Sequence, residues 1–237
     1  NGRISFDDGK LHDLNYIITD AAGNKSTIAF KVQSDPKAVI KTPTLPSGIN
    51  FPFNKVNNFD NDEVKVVLAK GTLYNDLNFI YKKLPKPQSN AYSAMHQIHN
   101  NYTPLHVGFE VSIKADSTLL PKYQSKALIV NGNRSSQGGS FENGYVKANP
   151  RNFGSFFIAV DTIAPSIVPV NISNGKNMAG LSQMSFRISD NLSGIKSLNG
   201  YIDGKWDLME FDAKTASLWH NFDERTTKGN HKFELVV

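Results

Sequence analysis

Histidines His96 and His99, three residues apart, with His106 shortly after, mark where a metal centre would be sought in this chain. Zinc needs three or four converging ligands, and residues three apart share a face when the segment is helical. No cysteine is available, and the nearest acidic partner is Glu110. The cluster therefore reads as a structural histidine pair rather than a metal site. The acidic run Asn58-Phe59-Asp60-Asn61-Asp62-Glu63 lacks the spacing of a calcium loop and reads as a solvated loop before a strand at Val64. No Gly-x-Ser-x-Gly elbow is present. The loop Asn131 to Gly139 carries Ser135 and Ser136 but no histidine beside them. It is polar and glycine-rich, suited to contacting a ligand or simply to being flexible. Aromatic faces also bind sugar rings, so Trp206 and Trp219 are the speculative ligand-binding residues. A tryptophan in a β-sandwich more often fills the core, which is the reading preferred for Trp206; Trp219 is left open between core and surface.

The elements that would carry these residues are strands. Apolar and polar residues alternate with period two in Ile28, Phe30 and Val32, in Val107, Phe109, Val111 and Ile113, and in Met184, Phe186 and Ile188. That pattern suits strands with one buried and one wet face. Ala22-Gly23-Asn24 and Asp203-Gly204 supply turns, the second a two-residue hairpin loop that tolerates positive φ. Asn90 to Ile98 fits a short helix capped by Ser89. Linkers are expected at Gln33-Ser34-Asp35-Pro36, with Pro43, Pro46 and Pro52 keeping the next stretch extended, and at Asp161-Thr162-Ile163-Ala164-Pro165. The chain then divides into a stub over 1–35, holding the C-terminal strands of a preceding β domain, a β-sandwich over 36–162 and a final sandwich over 163–237. Strands near 64–69, 77–83, 107–114, 126–131, 141–147 and 153–160 are expected in the middle part. Six more, near 166–173, 183–190, 195–202, 205–211, 216–222 and 231–237, fall in the last, one short of a seven-stranded immunoglobulin-like sandwich. The fold class is all-β, with tandem immunoglobulin-like β-sandwich domains.

Composition narrows the function classes. The chain has 237 residues, a net charge of +5 and no cysteine, which rules out a disulfide framework or a thiolate metal site. Its basic residues are dispersed rather than striped with aromatics, so nucleic acid is not an expected partner. No apolar run approaches the roughly 18 residues of a membrane-spanning helix. The chain opens on Asn1 without a methionine or a signal peptide, as expected of a processed or excised piece.

The stub and the chain's end repeat one another. Aligning His12 with His231 places Leu14 on Phe233, Tyr16 on Leu235 and Ile18 on Val237. In the first copy a T-D-A-A-G-N turn and one more strand follow, and their counterparts are expected beyond Val237. Asp20, Asn24 and Asp13 are too few and wrongly spaced for calcium, so T-D-x-x-G-N reads as a turn, with Asp20 bonding nearby N–H groups.

D-T-I-A-P at 161–165, S-D-N-L-S-G-I at 189–195, Y-I-D-G-K-W at 201–206 and the T-D-A-A-G-N turn, taken in order with F-D-E and G-N-H-K-F-E-L-V-V near the end, carry a resemblance. The chain resembles the C-terminal, non-catalytic β-rich region of exported lysostaphin/LytM-type zinc metallopeptidases of the Bacteroidetes. The resemblance spans essentially the whole chain. It is strongest over 1–33 and 155–237, and looser in the middle through T-L-Y-N-D-L at 72–77, T-P-L-H at 103–106 and F-G-S-F-F-I-A-V-D-T at 153–162. It implies a peptidase domain upstream whose zinc, held by H-x-x-x-D and H-x-H motifs, activates a water to cleave the cell-wall cross-bridge. Neither motif occurs here: His12, His96, His99, His106, His220 and His231 are followed four residues later by Tyr16, Asn100, Thr103, Glu110, Glu224 and Leu235. No catalytic residue, metal ligand or cofactor is therefore assigned to this chain, and zinc is expected only in the parent's upstream domain.

The function implied is that of a non-catalytic accessory region, positioning an exported peptidoglycan endopeptidase or contacting the envelope. Possible partners are peptidoglycan, an envelope glycan or another envelope protein, in the periplasm or at the cell surface. The alternative is a free-standing surface adhesin or carbohydrate-binding module of tandem immunoglobulin-like domains.

Overall fold

The computed structural model describes residues 4, 6–35, 37, 47–224 and 226–237. Pro36 of the first expected linker, and Pro43 and Pro46 of the extended stretch after it, lie outside the described residues. The chain forms two units, Asn1–Pro46 and Ser47–Val237.

The first unit is a hairpin of β1 (Leu11–Thr19) and β2 (Lys25–Gln33), in register from Leu11 opposite Gln33 to Thr19 opposite Lys25. Period-two alternation puts Leu14, Tyr16, Ile18, Ile28, Phe30 and Val32 on one face, with the Tyr16 and Phe30 rings stacked 5.9 Å apart. Asp13 and Lys31 pair on the other face at 3.0 Å. The turn is built by Asp20. Its Oδ1 accepts the N–H groups of Ala22 and Asn24 at 2.9 and 2.8 Å, and its Oδ2 accepts the Asn24 side-chain amide at 2.8 Å. These bonds, the Asn24 side chain first, hold the Asp20 carboxyl below its ordinary pKa. Gly23 supplies the φ of +88° that the turn requires.

In the second unit the middle sandwich comprises β3 (Ile49–Phe51), β4 (Asn57–Asp60), β5 (Val64–Leu68), β6 (Leu77–Phe79), β7 (Tyr81–Leu84), β8 (Met95–Ile98), β9 (Glu110–Lys114), a single helical turn α1 (Pro121–Gln124), β10 (Ala127–Asn131), β11 (Ser140–Glu142), β12 (Tyr145–Ala148) and β13 (Gly154–Val160). One sheet has the order β11–β12–β9–β5–β4, the other β10–β13–β8–β7, and β3 pairs with β6. Their inner faces share a core in which Val64, Val66, Val111, Ile113 and Val146 meet Ile98, Ile129, Phe156 and Ile158, all essentially inaccessible. Burying each such side chain contributes about 1.5–3 kcal/mol. The helix expected over 90–98 is not formed. Met95–Ile98 is instead strand β8, paired with both β7 and β13, because His96 and Ile98 point inward at a spacing of two rather than three or four.

The last sandwich comprises β14 (Ser166–Pro169), β15 (Gln183–Ser189), β16 (Asn199–Ile202), β17 (Lys205–Asp207), β18 (Glu210–Asp212), β19 (Ser217–Asn221) and β20 (Phe233–Val236). The sheets run β14–β15–β19–β18 and β17–β16–β20, the order of strands A-B-E-D and C′-C-F in an immunoglobulin-like sandwich. The run expected as one strand over 205–211 is two strands in different sheets. The chain leaves one sheet after Asp207 and enters the other at Glu210, burying Met209 between them. Met184, Phe186, Ile188 and Leu218 form the core with Phe233 and Leu235 against them, and the Phe186 and Phe233 rings stack at 5.3 Å.

The two sandwiches meet through the phrases that stood out in the sequence. Strand β13 is buried over four consecutive residues because its sheet is covered on both sides. Its outward residues Phe157 and Ala159 pack with Leu128, Val130 and Ala91, and Leu192 of the S-D-N-L-S-G-I loop lies against them. Asp161, at the start of D-T-I-A-P, locks the joint: its Oδ1 accepts the Ile163 N–H at 3.1 Å and its Oδ2 the Ser193 N–H at 2.8 Å. Burial pushes the Asp161 carboxyl up, but the bonds from Ser193 and Ile163 together outweigh it and hold it below the usual range. Asp190 shapes the same loop by accepting the N–H groups of Leu192 and Gly194.

Candidate functional site

The exposed aromatic face of the last sandwich is the site with the clearest chemical character. It starts from the Asp203–Gly204 turn, whose φ angles of +51° and +76° are those of a tight two-residue hairpin. The turn is pinned to β20. The Asp203 N–H donates to Lys232 O, its Oδ1 accepts the Lys232 N–H, and its Oδ2 bonds His231 Nδ1 at 2.7 Å. The His231 bond, first, lowers the Asp203 pKa, and reciprocally Asp203 raises that of His231.

Counting out from the turn, Tyr201 stands opposite Trp206, and on its other side opposite Glu234. Gly200 and Ile202 face inward, so Tyr201, Trp206, Asn199, Glu234 and Val236 project outward. A Cβ added at Gly200 would lie 2.7 Å from the Met209 side chain, so the strand passes close over the core at a place only glycine fits. Trp206 is 59% exposed, which overturns the expectation that it fills the core. The cause is register: Asp207, its neighbour, takes the inward position, leaving Trp206 on the solvent side. Its ring nitrogen donates to Asn199 Oδ1 at 3.3 Å, which fixes one edge of the indole. The result is an apolar ring tethered to the Asn199 amide and set beside Tyr201, with the Glu234 carboxylate, paired with Lys232 at 3.6 Å, on the far side of that tyrosine. Such an arrangement suits a sugar, whose ring faces are apolar and whose rim carries hydroxyls.

Trp219 is part-buried and lies on the outer face of the other sheet, opposite Ser185 and Glu210. The two tryptophans therefore occupy opposite sides of the sandwich and do not form one platform. Tyr201, Asn199 and Glu234 were missed in the sequence, although the two-residue turn alone places Tyr201 beside Trp206.

The histidines are held by ordinary partners. His96 Nδ1 bonds the Tyr81 hydroxyl at 2.9 Å, His99 Nε2 bonds Thr103 Oγ1 at 2.9 Å, and His106 Nδ1 lies 3.3 Å from the Tyr74 hydroxyl. Burial pushes His96 down to about 4. Among the described residues no group of three or more potential ligands converges on a metal position. The acidic run is the β4–β5 hairpin. Asn61 Oδ1 accepts the N–H groups of Glu63 and Val64, and Asp60 pairs with Lys65. A cavity of about 280 Å³ lies beside it, lined by Asp62, Glu63, His96, Lys114 and Asp116, but Glu63 and Asp116 are already paired with Lys83 and Lys86. The serine-bearing loop folds on Asn131, whose Oδ1 accepts the N–H groups of Asn133 and Ser135.

Residues 49–161 match a protein-family model described as a Zu5-like domain, so the middle sandwich, from β3 to the end of β13, is similar to that family. No curated protein and no solved structure matches the chain.

Proposed function

We propose that this chain is a non-catalytic glycan-binding region that serves an exported cell-wall zinc metalloendopeptidase, with the Trp206 face contacting the saccharide of peptidoglycan. The observation that supports the glycan contact is an indole 59% exposed, tethered through its ring nitrogen to Asn199 and flanked by Tyr201. A large aromatic ring held in solvent at a fixed orientation costs exposure without packing gain, and recognition of a flat apolar ligand face offsets that cost. The peptidase connection rests on the ordered phrases D-T-I-A-P, S-D-N-L-S-G-I and Y-I-D-G-K-W. The first two of these form the joint between the sandwiches and the third builds the aromatic face. In this reading the middle sandwich and its joint act as a spacer, and the region works outside the cytoplasm, in the periplasm or at the surface. The test is a pull-down of the chain by insoluble peptidoglycan, with Trp206→Ala and Trp219→Ala variants side by side. Retention lost with Trp206→Ala alone supports the proposal; retention unaffected by Trp206→Ala removes it.

A further inference from the structure

The end of the middle sandwich away from the joint is closed by the connections 52–56, 69–76, 99–109 and 149–153. Strand register brings them together. Asn57 stands opposite Leu68, Val67 opposite Glu110, Ala148 opposite Val111, and Gly154 opposite Ile98. Strand β13 runs from Gly154 at this end to Val160 at the joint, about 20 Å away. Backbone bonds tie the connections to one another. The Gly71 N–H donates to Phe53 O, the His106 N–H to Thr72 O, and the Phe109 N–H to Pro150 O.

Three turns project from this base. They are closed by the Lys55 N–H on Pro52 O, the Thr72 N–H on Ala69 O and the Thr103 N–H on Asn100 O. Their central positions hold Phe53, Lys70 and Tyr102, and Tyr102 is 90% exposed. Tyr74, edge-on to the His106 ring at 5.5 Å, is exposed as well, and so are Val56 and Val107. The other large apolar side chains exposed in this sandwich are Ile49 and Leu120. Its exposed apolar surface is therefore concentrated on these loops, as at an interaction site. The same four connections carry Lys55, Lys70 and Arg151 but a single carboxylate, Asp76, whose Oδ1 accepts the Phe53 N–H. Lys65, Lys83, Lys86 and Lys147 of this sandwich are ion-paired, whereas Lys55, Lys70 and Arg151 have no ion-pair partner among the described residues. Glu110, which opens β9, lies on the outer sheet face that it shares with Lys147.

We propose that this end of the middle sandwich docks on an anionic lipid surface, with Phe53, Tyr74 and Tyr102 entering the headgroup layer and Lys55, Lys70 and Arg151 meeting lipid phosphates. Tyrosine and phenylalanine suit such a boundary, where one part of a ring is wet and the rest is in an apolar medium. The rings stand on the corners of separate turns rather than around a groove, and a small ligand requires a concave site. An acidic protein or polymer would satisfy the cations but leave the rings and valines in water. Each lysine or arginine near an anionic bilayer is worth roughly fivefold in partitioning, an effect that salt screens. This inference is independent of the glycan reading, since it concerns a different sandwich and a different chemistry.

The test sediments the whole chain with vesicles of equal parts phosphatidylcholine and phosphatidylglycerol, against phosphatidylcholine vesicles and soluble polyglutamate. Binding to the mixed vesicles should be at least about tenfold tighter than to phosphatidylcholine and should weaken with salt. Lys70→Glu should cost at least about fivefold, and Tyr102→Ala several-fold. Lys122→Glu makes the same charge change on α1 at the opposite end and should cost little. In a Trp206→Phe/Trp219→Phe background, emission from a Tyr102→Trp variant should be quenched by brominated lipid. No preference for anionic lipid, equal losses from Lys70→Glu and Lys122→Glu, or unquenched emission would overturn the proposal. So would polyglutamate that competes with vesicles while Tyr102→Ala has no effect, since the cations would then serve an acidic macromolecule.

Discussion

Lowering the pH should destabilise the middle sandwich through His96, a side chain 1% exposed between β7 and β13. Burial is the main cause of its lowered pKa, about 4; Glu63 and Asp116 oppose the shift and Lys83 adds to it. With the folded value below the unfolded value of 6.5, the unfolded chain binds the extra proton between the two. Stability from this group is therefore complete above about pH 6.5 and is lost as pH falls toward 4. A shift of 2.5 units at 1.36 kcal/mol each gives a loss of roughly 3 kcal/mol. The perturbation is His96→Gln, which keeps a polar group for the Tyr81 hydroxyl but does not titrate. Urea unfolding at pH 7 and pH 4 should then show the wild type losing about 3 kcal/mol more than the variant. Both tryptophans lie in the last sandwich, so the assay must follow backbone amides of β8 and β13 by NMR rather than indole fluorescence. Equal acid sensitivity of the two proteins, or a His96 ring titrating near 6.5, would refute the reasoning.

Asp161→Ala should free the two sandwiches from one another, because the change removes the acceptor for both Ser193 and Ile163; small-angle scattering should report a larger radius of gyration while each core stays folded. The wild type should show the same loosening in acid. Asp161 has a folded pKa below its unfolded value, so its contribution is present above pH 3.8 and lost as pH falls through the folded value. Gly139→Ala should destabilise the middle sandwich by about 1–3 kcal/mol in urea unfolding, as overpacking does. A Cβ there would lie 2.7 Å from the Leu128 backbone and 3.0 Å from Val146.

The strands were legible wherever one face is buried and the other wet, as in β5 and β15, because burial then imprints a period of two. They were obscured where that imprint fails. Strand β8 hides its inward positions behind a histidine, His96, and so passed for a capped helix. The split between β17 and β18 depends on Asp207 being tolerated inside, beside His220 Nε2 at 3.6 Å, and local sequence does not announce a buried carboxylate. The Trp206 face was half legible. Residue types nominated Trp206, but its side of the sheet depends on which neighbour turns inward, and here the next residue, Asp207, and then Met209 take the buried positions. The turn at Asp20 was readable because its chemistry is local, an acceptor followed by a glycine at positive φ, and the Asp203–Gly204 turn because both of its residues tolerate positive φ.

The glycan-binding proposal is tested most directly by titrating a soluble disaccharide-peptide fragment of peptidoglycan into single-tryptophan variants, Trp219→Phe and Trp206→Phe, and following the remaining indole. The proposal predicts a saturable change in emission from Trp206 when it is the remaining indole and none from Trp219, with Trp206→Ala weakening binding by about 1–2 kcal/mol, roughly tenfold. A response confined to Trp219, or binding that Trp206→Ala leaves intact, would contradict it.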